Sequence, residues 1–217
     1  MNAICTERLS KTYKGHGGFR HASFVVEQGQ VFGCLGPNGA GKSTLVKTLL
    51  GFLQPTSGKA TVLGQPLGDK NVRRRIGYLP ELFRYHPWLS GEALLRLHGQ
   101  LHRMPEEQIR RRIPRVLEQV GMLGQEKKKV ADYSKGMQQR IGLGCALIND
   151  PELIFLDEPT SALDPIGRRQ IRDLLLELKS QGKTIFLNSH LLGEVEAVCD
   201  ALLIINRGKV IVQGTWE

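Results

Sequence analysis

Residues 36–44 read Gly36-Pro37-Asn38-Gly39-Ala40-Gly41-Lys42-Ser43-Thr44, which fits G-x-x-x-x-G-K-[ST] at Gly36, Gly41, Lys42 and Ser43. These residue types suit a polyphosphate. Glycines adopt backbone conformations closed to other residues and let N–H groups approach phosphate oxygens. A helix beginning at Lys42 adds the positive end of its dipole. Lys42 supplies a cation for the β- and γ-phosphates, and the Ser43 hydroxyl suits Mg²⁺. The motif needs a strand before it and a helix after it. Val31–Leu35 reads as the strand, and the helix is expected from Lys42 to about Leu50, stopped by Gly51.

Further on, Leu153-Ile154-Phe155-Leu156-Asp157-Glu158 reads as an apolar strand ending in two carboxylates. Beside a phosphate-binding loop, Asp157 suits the water shell of Mg²⁺. Glu158 suits polarising, or taking a proton from, an attacking water.

Between these motifs lies Tyr133-Ser134-Lys135-Gly136-Met137-Gln138-Gln139-Arg140. It resembles the signature of the ABC (ATP-binding cassette) ATPases, usually Leu-Ser-Gly-Gly-Gln followed by Gln-Gln-Arg. Ser134, Gly136, Gln138, Gln139 and Arg140 match, whereas Lys135 and Met137 depart as in some exporter-type members. The resemblance covers Thr6 to Gly214. It implies hydrolysis of ATP to ADP and phosphate with Mg²⁺, and catalytic roles for Glu158, Lys42 and His190, the switch histidine of Asn188-Ser189-His190. ATP would meet Tyr13, stacked on adenine, and the loop Gly36 to Thr44. Ser134 and Gly136 would address ATP held by an opposite subunit, and Asp164 of Ser161-Ala162-Leu163-Asp164 would communicate across that dimer. The metal would meet Ser43, Asp157 and Glu81. Glu81 stands where the family usually has glutamine, so it adds negative charge beside Asp157 and Glu158.

The resemblance further implies a homodimer or heterodimer of ATP-binding domains in the ATP state and separate transmembrane permease subunits, with export as the direction. Phe83–Ser90 and the following helix lie where such subunits usually dock. Without the family context, plainer readings hold: a helix cap at Ser134, a capping turn before Pro165, a core tyrosine at Tyr13, and core packing for Tyr85, Trp88 and Leu89. The alternative function is a soluble ABC-type ATPase of translation or DNA maintenance. Those usually carry a second cassette or a long coiled-coil insertion, and neither is visible here.

Other segments must position these residues. Ala3–Leu9, Phe19–Val26, Lys59–Val62, Ile76–Leu79 and Thr184–Asn188 read as strands. Ala201–Asn206 and Lys209–Gln213 flank Arg207-Gly208 as a hairpin. Helices are expected over Gly91–His102, from Glu106 with an interruption or kink at Pro114, and over Met137–Asn149, Gly167–Ser180 and Leu191–Val198. Alternating strands and helices argue for an α/β fold with a mainly parallel sheet. With the resemblance, the expected fold is an ABC-type P-loop NTPase core, a mixed sheet with flanking helices and an N-terminal antiparallel β-subdomain, plus an inserted α-helical subdomain. The single domain 1–217 would divide into a core at about 1–80 and 150–217 and a helical subdomain at about 81–149.

Composition limits the remaining classes. The 217 residues carry a formal net charge of +9. From Asp69 to Val130 there are 14 Lys/Arg against 7 Asp/Glu, so the middle holds most of the excess. Solvated surface explains this first and anionic lipid second. No aromatic residues interleave with the basic runs, so no nucleic acid is expected. The four cysteines form no CxxC pair and read as reduced, mostly buried thiols; the six histidines show no ligand spacing. With no signal-peptide pattern and no apolar stretch near ~20 residues, the expected location is cytoplasmic, peripheral on the inner face of the cell membrane. Gly214–Glu217 reads as an early stop, since exporter cassettes often continue with another helix and a tail.

Overall fold

A computed structural model describes residues 1–13, 17–82 and 84–215. Its organising feature is one long mixed sheet. Strands β1 (Asn2–Thr12), β2 (Gly18–Ala22), β3 (Val25–Glu27), β5 (Ser57–Val62) and β6 (Gln65–Pro66) form an antiparallel part in which β1 pairs with β2, β3 and β5. Strands β4 (Val31–Leu35), β7 (Ile76–Leu79), β8 (Leu153–Asp157), β9 (Thr184–Ser189) and β10 (Ala201–Asn206) run parallel in the order β10-β4-β9-β8-β7. The last strand, β11 (Lys209–Thr215), pairs antiparallel with β10 and parallel with β2, joining the two parts.

β8 is buried at every position, as is β9, which explains their near-continuous apolar runs. Phe24, Phe32, Phe155 and Phe186 pack together on one face of the sheet, with successive ring centroids 5.4 to 5.6 Å apart. At the β10–β11 turn, Arg207 and Gly208 both have positive φ (47° and 74°), as a two-residue hairpin of the twist-matched kind requires.

Helices α1 (Lys42–Leu49), α2 (Lys70–Arg73), α6 (Pro165–Ser180) and α7 (Leu192–Glu196) connect sheet strands. Helices α3 (Gly91–Leu101), α4 (Glu106–Gln119) and α5 (Lys135–Leu147) lie between β7 and β8 in sequence and pack on one another, with α5 also against β7. α5 is the axis of this inserted group, buried from Gln139 and from Ile141 through Leu147.

Three expectations need correcting. Phe19–Val26 is not one strand. β2 and β3 are separated at Ser23-Phe24, where the buried Thr6 hydroxyl accepts from the Phe24 N–H (2.9 Å) and lies 3.2 Å from its carbonyl. Pro114 does not interrupt α4, which runs through it. The proline sits on the exposed side, opposite the buried stripe of Ile109, Ile113, Val116 and Leu117, so water can serve the backbone carbonyl that loses its donor. The helix expected over Leu191–Val198 is shorter, Leu192–Glu196. Among the described residues no helix is long and apolar enough to cross a membrane.

Candidate functional site: a cleft at the carboxyl edge of the parallel strands

The register brings the motifs together. Cys34 of β4 lies beside Asn188 of β9, and Asn188 lies beside Asp157 of β8. The loops leaving β4, β7, β8 and β9 therefore open on one edge, the usual ligand crevice of parallel α/β sheets. A cleft of about 360 Å³ lies there, lined by residues 38–44, Gly18, Glu81, Asp157, Glu158 and Asn188.

The loop before α1 is fixed by glycines that no other residue replaces. Gly41 has φ 106°, and a Cβ there would come within 2.4 Å of the Gly18 carbonyl oxygen. At Gly36 a Cβ would meet the Ile205 carbonyl at 2.1 Å. Among the described residues no side chain caps α1, so its first N–H groups are left for an anion in the cleft. Lys42 is buried, and its Nζ donates to the carbonyls of Gly36 (2.7 Å) and Pro37 (3.3 Å), which hold the ammonium along the loop.

Asp157 is 2% exposed. Asn188 Nδ2 and the Ser43 hydroxyl donate to its carboxylate. Burial raises its pKa above the usual carboxylate value and outweighs those two hydrogen bonds; the neighbouring carboxylates of Glu81 and Glu158 push the same way. Glu158 has left-handed backbone, φ 54°, with its N–H bonded to the Asn188 carbonyl at 2.9 Å. Its side chain is buried. Oε2 lies 2.9 Å from His190 Nδ1, while Oε1 is buried and has no hydrogen-bond partner among the described residues. Such an orphaned acceptor beside a phosphate-binding loop suits a water molecule as donor.

The oxygens of Ser43, Asp157 and Glu81 line the same cleft and form a hard donor set that fits Mg²⁺. Among the described residues no group of three or more His, Cys, Asp or Glu could hold a metal ion.

The other expected site residues are not among those lining this cleft. Tyr13 is 47% exposed with Lys11 Nζ 5.4 Å from its ring centroid, which rules out a core role. Ser134 caps α5, accepting from the Met137 N–H at 3.2 Å, and Gly136 lies in that first turn. Asp164 caps α6, accepting from the Gly167 N–H at 2.7 Å. In the expected docking segment, Tyr85 and Leu89 are partly buried against the core, whereas Trp88 is exposed beside His86; Phe83 lies outside the described residues. Three neighbours of the cleft have places that the sequence alone does not assign. Gly18 belongs to no motif in the sequence. Asn188 was read as part of a motif, without a partner. Gln139, buried on α5, places Nε2 3.5 Å from the Glu158 carbonyl.

Comparison with known proteins agrees with this arrangement. The family profile described as ABC transporter matches residues 19–161. An uncharacterised ABC transporter ATP-binding protein of Nostoc is 51% identical over 100% of this chain and 67% of its own length. A Nod factor export ATP-binding protein I of Rhizobium leguminosarum is 39% identical over 98% of this chain and 69% of its own. The chain thus spans about two thirds of the length of such relatives. Among solved structures, an ATP-binding subunit of an ABC transporter superposes with a TM-score of 0.89 at 31% identity, covering 99% of this chain and 90% of the other. Motif, sheet and relatives thus coincide, and the chain belongs to the ATP-binding subunits of ABC transporters.

Proposed function

We propose that the chain hydrolyses ATP in this cleft and so drives export through separate membrane subunits. The observation that carries the proposal is Glu158: a buried carboxylate with one oxygen held by His190 and the other unpartnered, at the edge of a phosphate-binding loop. Water donating to Oε1 is oriented for attack on the terminal phosphorus, and Glu158 takes its proton. Lys42 and the α1 N–H groups stabilise the charge that develops on the phosphate oxygens. His190 holds Glu158 in place and senses the γ-phosphate. Ser43, Asp157 and Glu81 would hold Mg²⁺, which supplies charge neutralisation at the phosphates when bound.

Ser134 and Gly136 point to a second copy. They stand at the start of α5, outside the chain's own cleft, where a helix N-terminus suits the phosphates of a partner's ATP. Residues 81–149 then act as a helical lobe presenting that terminus, while 1–80 and 150–217 hold the nucleotide. Tyr13, exposed, stacks on adenine, and Asp164 faces the dimer partner. The export named for the Rhizobium relative supports the direction, and the exposed Trp88 supports a docking role for its segment.

The test is Mg²⁺-dependent phosphate release from ATP at rising protein concentration. Wild type should show turnover rising faster than linearly. Glu158→Gln should lose about 10²–10⁴-fold in rate, the usual scale for a general base, while still binding ATP. Equal turnover in the two proteins would overturn the assignment.

A further inference from the structure

A second cleft, of about 480 Å³, lies between α6 and α7 and shares no lining residue with the nucleotide cleft. That is within the ~300–1,000 Å³ of small-molecule sites. Its floor is apolar: Leu175 and Leu187 are 2% exposed and Val198 is 5%, with Pro159 and Leu191 beside them. Its rim is basic, carrying Arg168, Arg169 and Arg172 of α6. One carboxylate, Glu194, also lines the cleft, nearest Arg168, and its buried Oε1 has no hydrogen-bond partner among the described residues.

The charges are unevenly matched. Glu194 Oε2 accepts from the Thr160 hydroxyl at 2.5 Å and from Ser189 Oγ at 3.4 Å, and Oε1 lies 3.8 Å from Arg168 Nη1. Arg168 also donates to the Leu163 carbonyl at 3.2 Å. Among the described residues Arg172 reaches only its exposed neighbour Asp173, at 3.8 Å. Arg169 has no ion pair or side-chain hydrogen bond among the described residues. Two weakly matched guanidiniums therefore stand over an apolar trough.

A neutral apolar ligand leaves these cations unmatched, and free phosphate leaves the floor uncovered. We propose that this cleft binds a small amphipathic carboxylate of the medium-chain fatty acid class, its chain on Leu175, Leu187 and Val198 and its head on Arg169 and Arg172. The site carries a means of influence. Pro159 and Thr160 follow Glu158 directly, and Leu191 follows His190, so an occupant touches both segments that hold the Glu158–His190 pair. The proposal goes beyond the ATP reading, and its test needs no nucleotide.

Calorimetric titration of the whole chain with decanoate, and with decanol as the uncharged control, reads the site. One saturable site should appear, with decanol at least tenfold weaker. Arg169→Glu with Arg172→Glu, both exposed, should weaken decanoate at least tenfold. Ala197→Trp, from the exposed rim, should abolish binding by filling the trough. Absence of saturation below about 1 mM, equal decanoate and decanol affinity, or unchanged binding in the arginine variant overturns the proposal. So does a preference for anionic phospholipid vesicles or an acidic peptide with none for decanoate. If Ala197→Trp fails to fold, the arginine variant alone decides.

Discussion

Burying Asp157 carries an electrostatic cost, and that cost has a sign. Burial raises its pKa, so it gives up its proton only above the usual carboxylate range. A cation needs it deprotonated. Mg²⁺-dependent turnover should therefore fall, as pH drops, at a higher pH than an ordinary aspartate would give. Glu81 contributes to the rise. Glu81→Gln should move that acid limb to lower pH, which a pH–rate profile will show. If Glu81 is also a metal contact, Glu81→Ala should raise the Mg²⁺ concentration needed for half-maximal turnover; full activity with unchanged Mg²⁺ dependence would remove that role. At this scale the sequence was informative where chemistry is local. Lys42, Ser43, Asp157 and Glu158 announce themselves by spacing within one segment. Gly18 and Asn188 do not, because their neighbours at the cleft come through sheet register and loop packing, with Asn188 opposite Asp157 only after β8 and β9 pair.

Elements were legible to the extent that one segment dictates them. The strand and helix around the loop appear with nearly the expected limits, because Gly41 and Gly51 bracket α1 with positive φ. The break between β2 and β3 was not legible, since it depends on Thr6, 18 residues from Phe24. Nor was the continuity of α4, since Pro114 is tolerated only because of the side it occupies. Ser134 illustrates how an element and a site share one residue. It is both the α5 cap and a proposed contact to a partner's ATP. Ser134→Ala should cost about 1 kcal/mol of stability and also lower turnover. Ser134→Asp separates the two roles: an aspartate keeps the cap and suits the helix dipole, but repels phosphate. Its thermal midpoint should match or exceed wild type while turnover falls more than tenfold. Wild-type turnover in Ser134→Asp would leave this residue with a cap and nothing more.

The whole molecule is a device for gathering distant residues onto one edge. If the proposed dimer forms, Glu158→Gln with ATP and Mg²⁺ should elute at twice the monomer mass in size-exclusion chromatography with light scattering. The same variant carrying Ser134→Asp should remain a monomer. The sheet order has a further consequence, for synthesis. β9 lies between β4 and β8, yet it follows both in the chain. A nascent chain that has released only its first 183 residues holds the phosphate loop and both carboxylates but lacks the strand that sets them side by side. Even then β10 must still arrive to cover the other flank of β4. The nucleotide cannot template early folding from the ribosome, and the half-made sheet offers a bare apolar gap that a chaperone would have to shield until the last strands emerge.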